Sequence, residues 1–123
     1  MSIPRTVIVA YRPKPGKEEV LLSEVRDHAP FLRSEGLATD RPPMVMRAKD
    51  GTIIEVFEWA SAAAIQEAHG NPRVHAMWGR FAACCDYAQL NSLAEAGDMF
   101  AEFESMHIQL APIVQPDVAG RAE

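Results

Sequence analysis

Between Thr52 and Cys85 the chain reads TIIEVFEWASAAAIQEAHGNPRVHAMWGRFAACC, which gathers both tryptophans, two of the four histidines and both cysteines. Strand alternation over its first part places Ile53, Glu55, Phe57 and Trp59 on one face. Glu55 is the odd member of that set. Burial raises the pKa of a carboxylate that finds no partner, and such groups are common where proteins do chemistry. Arg12, Arg47 or Tyr11 on other strands would satisfy it structurally, and exposure at a sheet edge would make it ordinary.

His69 ends a helical run, four residues after Ile65. In that place an imidazole either interacts with the C-terminal carbonyls and the helix dipole, or it faces a pocket and takes a proton from a bound phenol. The first role is the preferred one. Trp59, at the end of a strand and next to a helix cap, is equally suited to line a cavity mouth or to pack. His75 falls beside the apolar stripe of the next helix, and Trp78 falls in its centre, which predicts an exposed histidine and a core tryptophan. His69, His75 and Glu67 make no metal site, because Gly70 and Pro72 interrupt the helix between the histidines. Cys84 and Cys85 are neighbours whose side chains diverge by about 100° in a helix, too far for an ordinary disulfide. They read as buried or half-buried thiols in a reducing compartment.

These residues need a scaffold, and the pattern supplies one. Thr6 to Arg12 is β-branched and aromatic and stops at a Pro-Gly turn, a strand signal. Leu21, Val25, Ala29 and Leu32 recur with helical spacing up to a stop at Gly36, with a kink or restart expected at Pro30. Met44–Ala48 and Thr52–Ala60 flank Lys49-Asp50-Gly51, a hairpin signal. Ser61 caps a helix from Ala62 to His69, and Asn71 with Pro72 opens another. Its stripe is Val74, Met77, Trp78, Phe81 and Cys85. A short strand is expected at Tyr87–Leu90, a capping box at Ser92 to Glu95, and a last strand or helical turn at Phe100–Glu104.

Strand, helix, strand, strand, helix pair, strand is the split βαβ order of a ferredoxin-like α+β sandwich with an antiparallel sheet. Residues 1–104 are expected to form this single domain, and 105–123 an arm or tail in which Ile108, Leu110 and Ile113 touch a partner. Both faces of the second hairpin strand are mostly apolar, so something must cover the face away from the helices. A second copy is the simplest cover, which predicts a homodimer through the sheet face.

With 123 residues, 48% of them apolar and 24% charged, the chain is sized for one globular core. Its net charge of -5 and the absence of clustered Lys and Arg argue against nucleic acid. It contains no apolar run of the roughly 20 residues a spanning helix needs and no signal-peptide core, so a cytoplasmic protein with no membrane partner is expected. There is no phosphate-binding glycine loop, nucleophile elbow or nucleotide fingerprint, and no cofactor or metal is expected.

The run Glu55 to Val74, with Trp59, His69 and Pro72 at its marked positions, resembles the antibiotic biosynthesis monooxygenase-like family of the dimeric α/β-barrel superfamily. The element order agrees from about Thr6 to Leu90. The resemblance implies two ferredoxin-like subunits paired sheet to sheet, with small molecules bound between each sheet and its helices. It also implies a spread of functions, from cofactor-independent oxidation of phenols to quinones, through haem degradation, to pure binding. Haem-degrading members use an Asn, Trp and His set, and the first strand here, TVIVAYR, has no Asn. No catalytic residue transfers from the quinone-forming members.

The function expected is therefore binding of a small aromatic or apolar molecule, as a cofactor-independent monooxygenase acting on phenols or hydroquinones or as a non-catalytic, stress-associated module. Tyr11, Glu55, Phe57, Trp59 and His69 are the candidates for the pocket wall. Glu55 and His69 are the candidates for proton transfer.

Overall fold

Residues 2–110 are described by the computed structural model. The elements are β1 (Arg5–Pro13), α1 (Glu18–Ser34), β2 (Met44–Arg47), β3 (Ile53–Trp59), α2 (Ala62–His69), α3 (Pro72–Cys84), β4 (Cys85–Ala88) and β5 (Glu104–Met106). Two short 3-10 turns, Leu90–Ser92 and Ala94–Gly97, lie between β4 and β5. The strands form one antiparallel sheet in the order β4-β1-β3-β2-β5. This α+β arrangement is compatible with a ferredoxin-like fold, extended by β5 at the β2 edge.

Local chemistry explains most boundaries. The hairpin turn between β2 and β3 closes through Ala48 N–H to Thr52 O at 2.8 Å, with Gly51 at φ +93 and the Asp50 carboxylate accepting from Thr52 N–H at 2.9 Å. Helix α1 ends where Gly36 takes φ +76, so that Leu37 N–H reaches Leu32 O and Gly36 N–H reaches Arg33 O, a Schellman closure. The Ser61 hydroxyl accepts from Ala64 N–H to start α2, and the Asn71 side-chain oxygen accepts from Arg73 and Val74 N–H to start α3 at Pro72. Helix α1 runs without interruption through Pro30. No restart occurs there, and the ring is buried.

Three details depart from the pattern. The fourth strand starts early, at Cys85–Ala88, so Cys85 belongs to the sheet and not to the stripe of α3. Ser92 does not cap; its hydroxyl donates to Gln89 O, while Glu95 is buried and accepts from Lys49 N–H at 2.8 Å. Tertiary demand on the hairpin turn takes the carboxylate that a capping box would use. The final strand comes later than expected, at Glu104–Met106, and keeps the chain in the sheet past residue 105. Ile113 and the rest of 111–123 lie outside the described residues.

Odd-numbered β3 residues face the helices and join the main core with Tyr11, Leu21, Val25, Val74, Met77 and Phe81. The even-numbered residues face the other way. There Ala10 and Ile54 are buried under Leu93, with Met46, Ala88 and Phe103 packed around them. Because β4 and β5 sit on opposite edges, residues 89–103 must cross this face, and they supply from within the chain part of the cover expected from a second copy. Beyond the crossing segment, Ile8 (51% exposed) and Met44 (63%) flank half-buried Val56, which is their register neighbour on both sides. No helix among the described residues is long and apolar enough to cross a membrane.

Candidate functional site

The polar centre of the molecule is built on Glu55. Its register partners are Val9 on β1 and Val45 on β2, so neither strand places a polar side chain directly beside it. Partners come instead from a diagonal and from above. Tyr11 is opposite Ile53 on the same face, a diagonal neighbour within reach of a long side chain. His28 descends from α1, in the stripe Leu21, Val25, His28, Leu32. The Tyr11 hydroxyl donates to Glu55 Oε1 at 2.7 Å, and His28 Nδ1 lies 2.8 Å from the same oxygen.

Aromatic packing holds this arrangement in place. Tyr11 stacks on Phe81 with centroids 5.0 Å apart, and the His28 ring meets Phe57 at 4.9 Å and Phe81 at 5.1 Å, both edge-on. Glu55 is 0% exposed and His28 4%. Burial, and then the charge of Glu55, push the Tyr11 phenol well above its usual 10.0, so the hydroxyl stays protonated and serves as a donor. The two carboxylate oxygens are not equivalent. Oε1 has both partners, whereas Oε2 is buried with none among the described residues. A buried acceptor left unpaired is destabilising by about 1–3 kcal/mol, more if charged, and such an atom calls for an explanation.

The remaining sequence candidates fall into two groups. Phe57 and Trp59 share the Glu55 face, with rings 5.3 Å apart, and both are buried; Phe57 touches His28 and so belongs to the network's wall. His69 lies elsewhere. It is exposed, its Nδ1 bonds Ile65 O at 2.9 Å, and its ring sits edge-on to Trp78 at 5.2 Å. His75 stacks on the same indole at 5.7 Å and bonds His69 O. Both imidazoles thus serve the C-terminal carbonyls of α2. Trp78, expected in the core, is half-buried between them.

Arg12 and Arg47, the alternative partners for Glu55, are engaged away from it: Arg12 with Asp50 at 3.6 Å, Arg47 with Glu18 at 2.7 Å and Glu104 at 3.4 Å. The thiols of Cys84 and Cys85 are free and buried, and burial pushes the Cys85 thiol up to about 12, which suppresses nucleophilic reactivity. Among the described residues no three His, Cys, Asp or Glu side chains gather as metal ligands. An open cleft of about 850 Å³ lies between α1 and β5 and is lined by Leu22, Arg26, Arg47 and His107 among others; none of the pocket-wall candidates Tyr11, Glu55, Phe57, Trp59 and His69 lines it.

His28 is the member of this network that the pattern conceals. Its signal is its helical phase: seven residues after Leu21 and four before Leu32, it occupies the same stripe as Ala29, the apolar neighbour that the spacing also accommodates. What the geometry offers chemically is a carboxyl group shielded from water, held at one oxygen by two groups, with the other oxygen buried and unpartnered among the described residues. No protein-family model, curated protein or solved structure matches the chain.

Proposed function

We propose that the protein binds a small aromatic molecule carrying a hydroxyl, in a site between sheet and helices whose polar anchor is Glu55 Oε2. The observation that carries this reading is the unpartnered Oε2 beside a fully partnered Oε1. A phenolic hydroxyl is the donor that an apolar, aromatic-walled position of this kind accepts. Phe57, Phe81 and Trp59 provide the matching ring surfaces, and ligand entry requires the closed interior to open.

The catalytic form of this reading is the chemistry that the antibiotic biosynthesis monooxygenase-like resemblance implies. Glu55 takes the proton of a bound hydroquinone or phenol, and the resulting anion gives electrons to oxygen. For a phenol, one atom of O2 enters the ring and the other leaves as water with the two hydrogens lost, giving the quinone; for a hydroquinone, two electrons and two protons pass to O2, giving the quinone and hydrogen peroxide. Oxygen uptake with a panel of hydroquinones tests it. The expected result is uptake above buffer that falls at least tenfold in Glu55→Gln and is unchanged in His69→Ala. No uptake, or an unaltered rate in Glu55→Gln, overturns the catalytic form.

A non-catalytic binding role is favoured by one observation, the dense packing of Tyr11, His28 and Phe81 around the carboxylate. Native mass spectrometry of the purified protein separates the two, since a ligand retained unconverted supports binding alone. Support for a homodimer comes from exposed Ile8 and Met44 on either side of half-buried Val56. Light scattering at micromolar concentration tests it, with dissociation expected in Met44→Glu; a monomeric wild type overturns it.

A further inference from the structure

Glu55 is not the only buried polar group left short of a partner. On β2, Arg47 donates from Nη1 to Glu18 Oε2 at 2.7 Å, while its Nε is buried with no hydrogen bond among the described residues. Glu104 on β5 places Oε1 3.4 Å from that Nε, an ion-pair distance without hydrogen-bond alignment. The Glu104 side chain is 65% exposed, and a surface pair of this kind holds weakly. When Glu104 turns out into water, the Nε–Nη2 edge of Arg47 is open to a better acceptor. The two oxygens of one carboxylate match that edge.

Arg47 and Glu104 both line the cleft between α1 and β5, and Arg26 brings a second guanidinium to it from α1. Arg26 is exposed and is in no ion pair among the described residues. Its neighbours one helical turn away, Leu22, Ser23, Ala29 and Pro30, carry no charge, so nothing on α1 neutralises it locally. The other side of the cleft is apolar. From 105 to 110 the chain alternates, with Ser105, His107 and Gln109 exposed and Met106, Ile108 and Leu110 half-buried. Met106 and Ile108 pack on the main core, as does Leu22 across from them, and together they give the cleft an apolar floor.

We infer that this cleft binds a small carboxylic acid with an apolar chain or ring, its carboxylate held by Arg47 and Arg26 and its apolar part laid on Leu22, Met106 and Ile108. Charge complementarity selects the head group: two guanidiniums face one carboxylate here, in a chain whose net charge is -5. The half-buried floor selects the body, because covering it removes apolar surface from water. A bare inorganic anion leaves that floor wet, and a neutral apolar molecule leaves the Arg47 edge unmatched. At about 850 Å³ the cleft is of a size that takes small molecules. Tyr11, Glu55 and Phe57 do not line it, so this site stands apart from the proposed phenol site in the interior.

Octanoate is the probe, and NMR of the full chain labelled at its Leu, Ile and Met methyl groups reads the binding. Saturable shifts are expected at Leu22, Met106 and Ile108, with a Kd on the order of 1 mM or tighter. Arg26→Gln, a change at an exposed and unpaired side chain, is expected to weaken binding about tenfold, and Arg47→Gln likewise. Octan-1-ol and inorganic phosphate each offer half of the ligand and are expected to bind at least about tenfold more weakly than octanoate. The absence of saturable shifts at the three methyl positions overturns the inference, as do shifts confined to the interior at Leu32 and Ile53. An affinity unchanged in Arg26→Gln also overturns it, and this decides the head group even if Arg47→Gln does not fold. Octan-1-ol or phosphate binding as tightly as octanoate overturns it as well.

Discussion

Two clusters in this protein pack imidazoles against aromatic rings to opposite ends. Under α1, His28, Tyr11 and Glu55 pack against Phe57 and Phe81; at the α2–α3 corner, His69 and His75 pack against Trp78. In the first, an imidazole meets a carboxylate with little water present, and each hydrogen bond is hard to replace. In the second, the imidazoles bond backbone carbonyls at an exposed helix end, where water stands ready to substitute. The difference lies in what each ring nitrogen faces and how dry that place is.

The sharpest way to break this contrast is to remove the carboxylate. Glu55→Leu strands the Tyr11 hydroxyl and His28 in the core and is expected to reduce stability by about 3–5 kcal/mol in urea unfolding; a loss below about 1 kcal/mol would show that the network is not a unit. Next comes the pair of histidines. His28→Ala removes a buried ring and its bond and is expected to cost about 2–4 kcal/mol.

A third prediction concerns alkaline pH. The Tyr11 phenol is raised above its unfolded value of 10.0, so its contribution is fully present below pH 10 and is lost as pH rises from there towards the folded value. Unfolding free energy measured above pH 10 should therefore fall at about 1.4 kcal/mol per pH unit for this group. Tyr11→Phe should flatten that slope. The smallest effect belongs to the exposed cluster: His69→Ala should change stability by less than about 1 kcal/mol, read from the thermal midpoint. A larger loss there would erase the distinction.

The scaffold was legible where one residue type answers one local demand. Ser61, Asn71 with Pro72, Gly36 and Asp50-Gly51 each satisfy a backbone requirement within a few residues, and the elements begin or end there. Glu55 was legible as an anomaly, and Tyr11 as one of its possible partners. His28 was not, because it is 27 residues from Glu55 and polar in a stripe whose other positions are apolar. Ser92 and Glu95 carry a helix-start signal that a local bond from the Ser92 hydroxyl to Gln89 O and a long-range bond from Lys49 N–H to the Glu95 carboxylate override. His69 attracted attention through its neighbours in sequence, whereas its neighbours in space are an indole and a carbonyl.

The segment from residue 89 to 103 connects the two edge strands by passing over the sheet, and it shields Ala10 and Ile54 as it goes. During synthesis those residues emerge early while Leu93 and Phe103 emerge late. Until the crossing is laid down, the nascent sheet presents Ala10, Ile54, Ile8, Val56 and Met44 as one uninterrupted apolar surface. A chain shortened before residue 89 loses that shield together with β5 and the Met106 and Ile108 packing on the main core. Such a chain is expected to partition into the pellet on centrifugation where the full chain stays in solution.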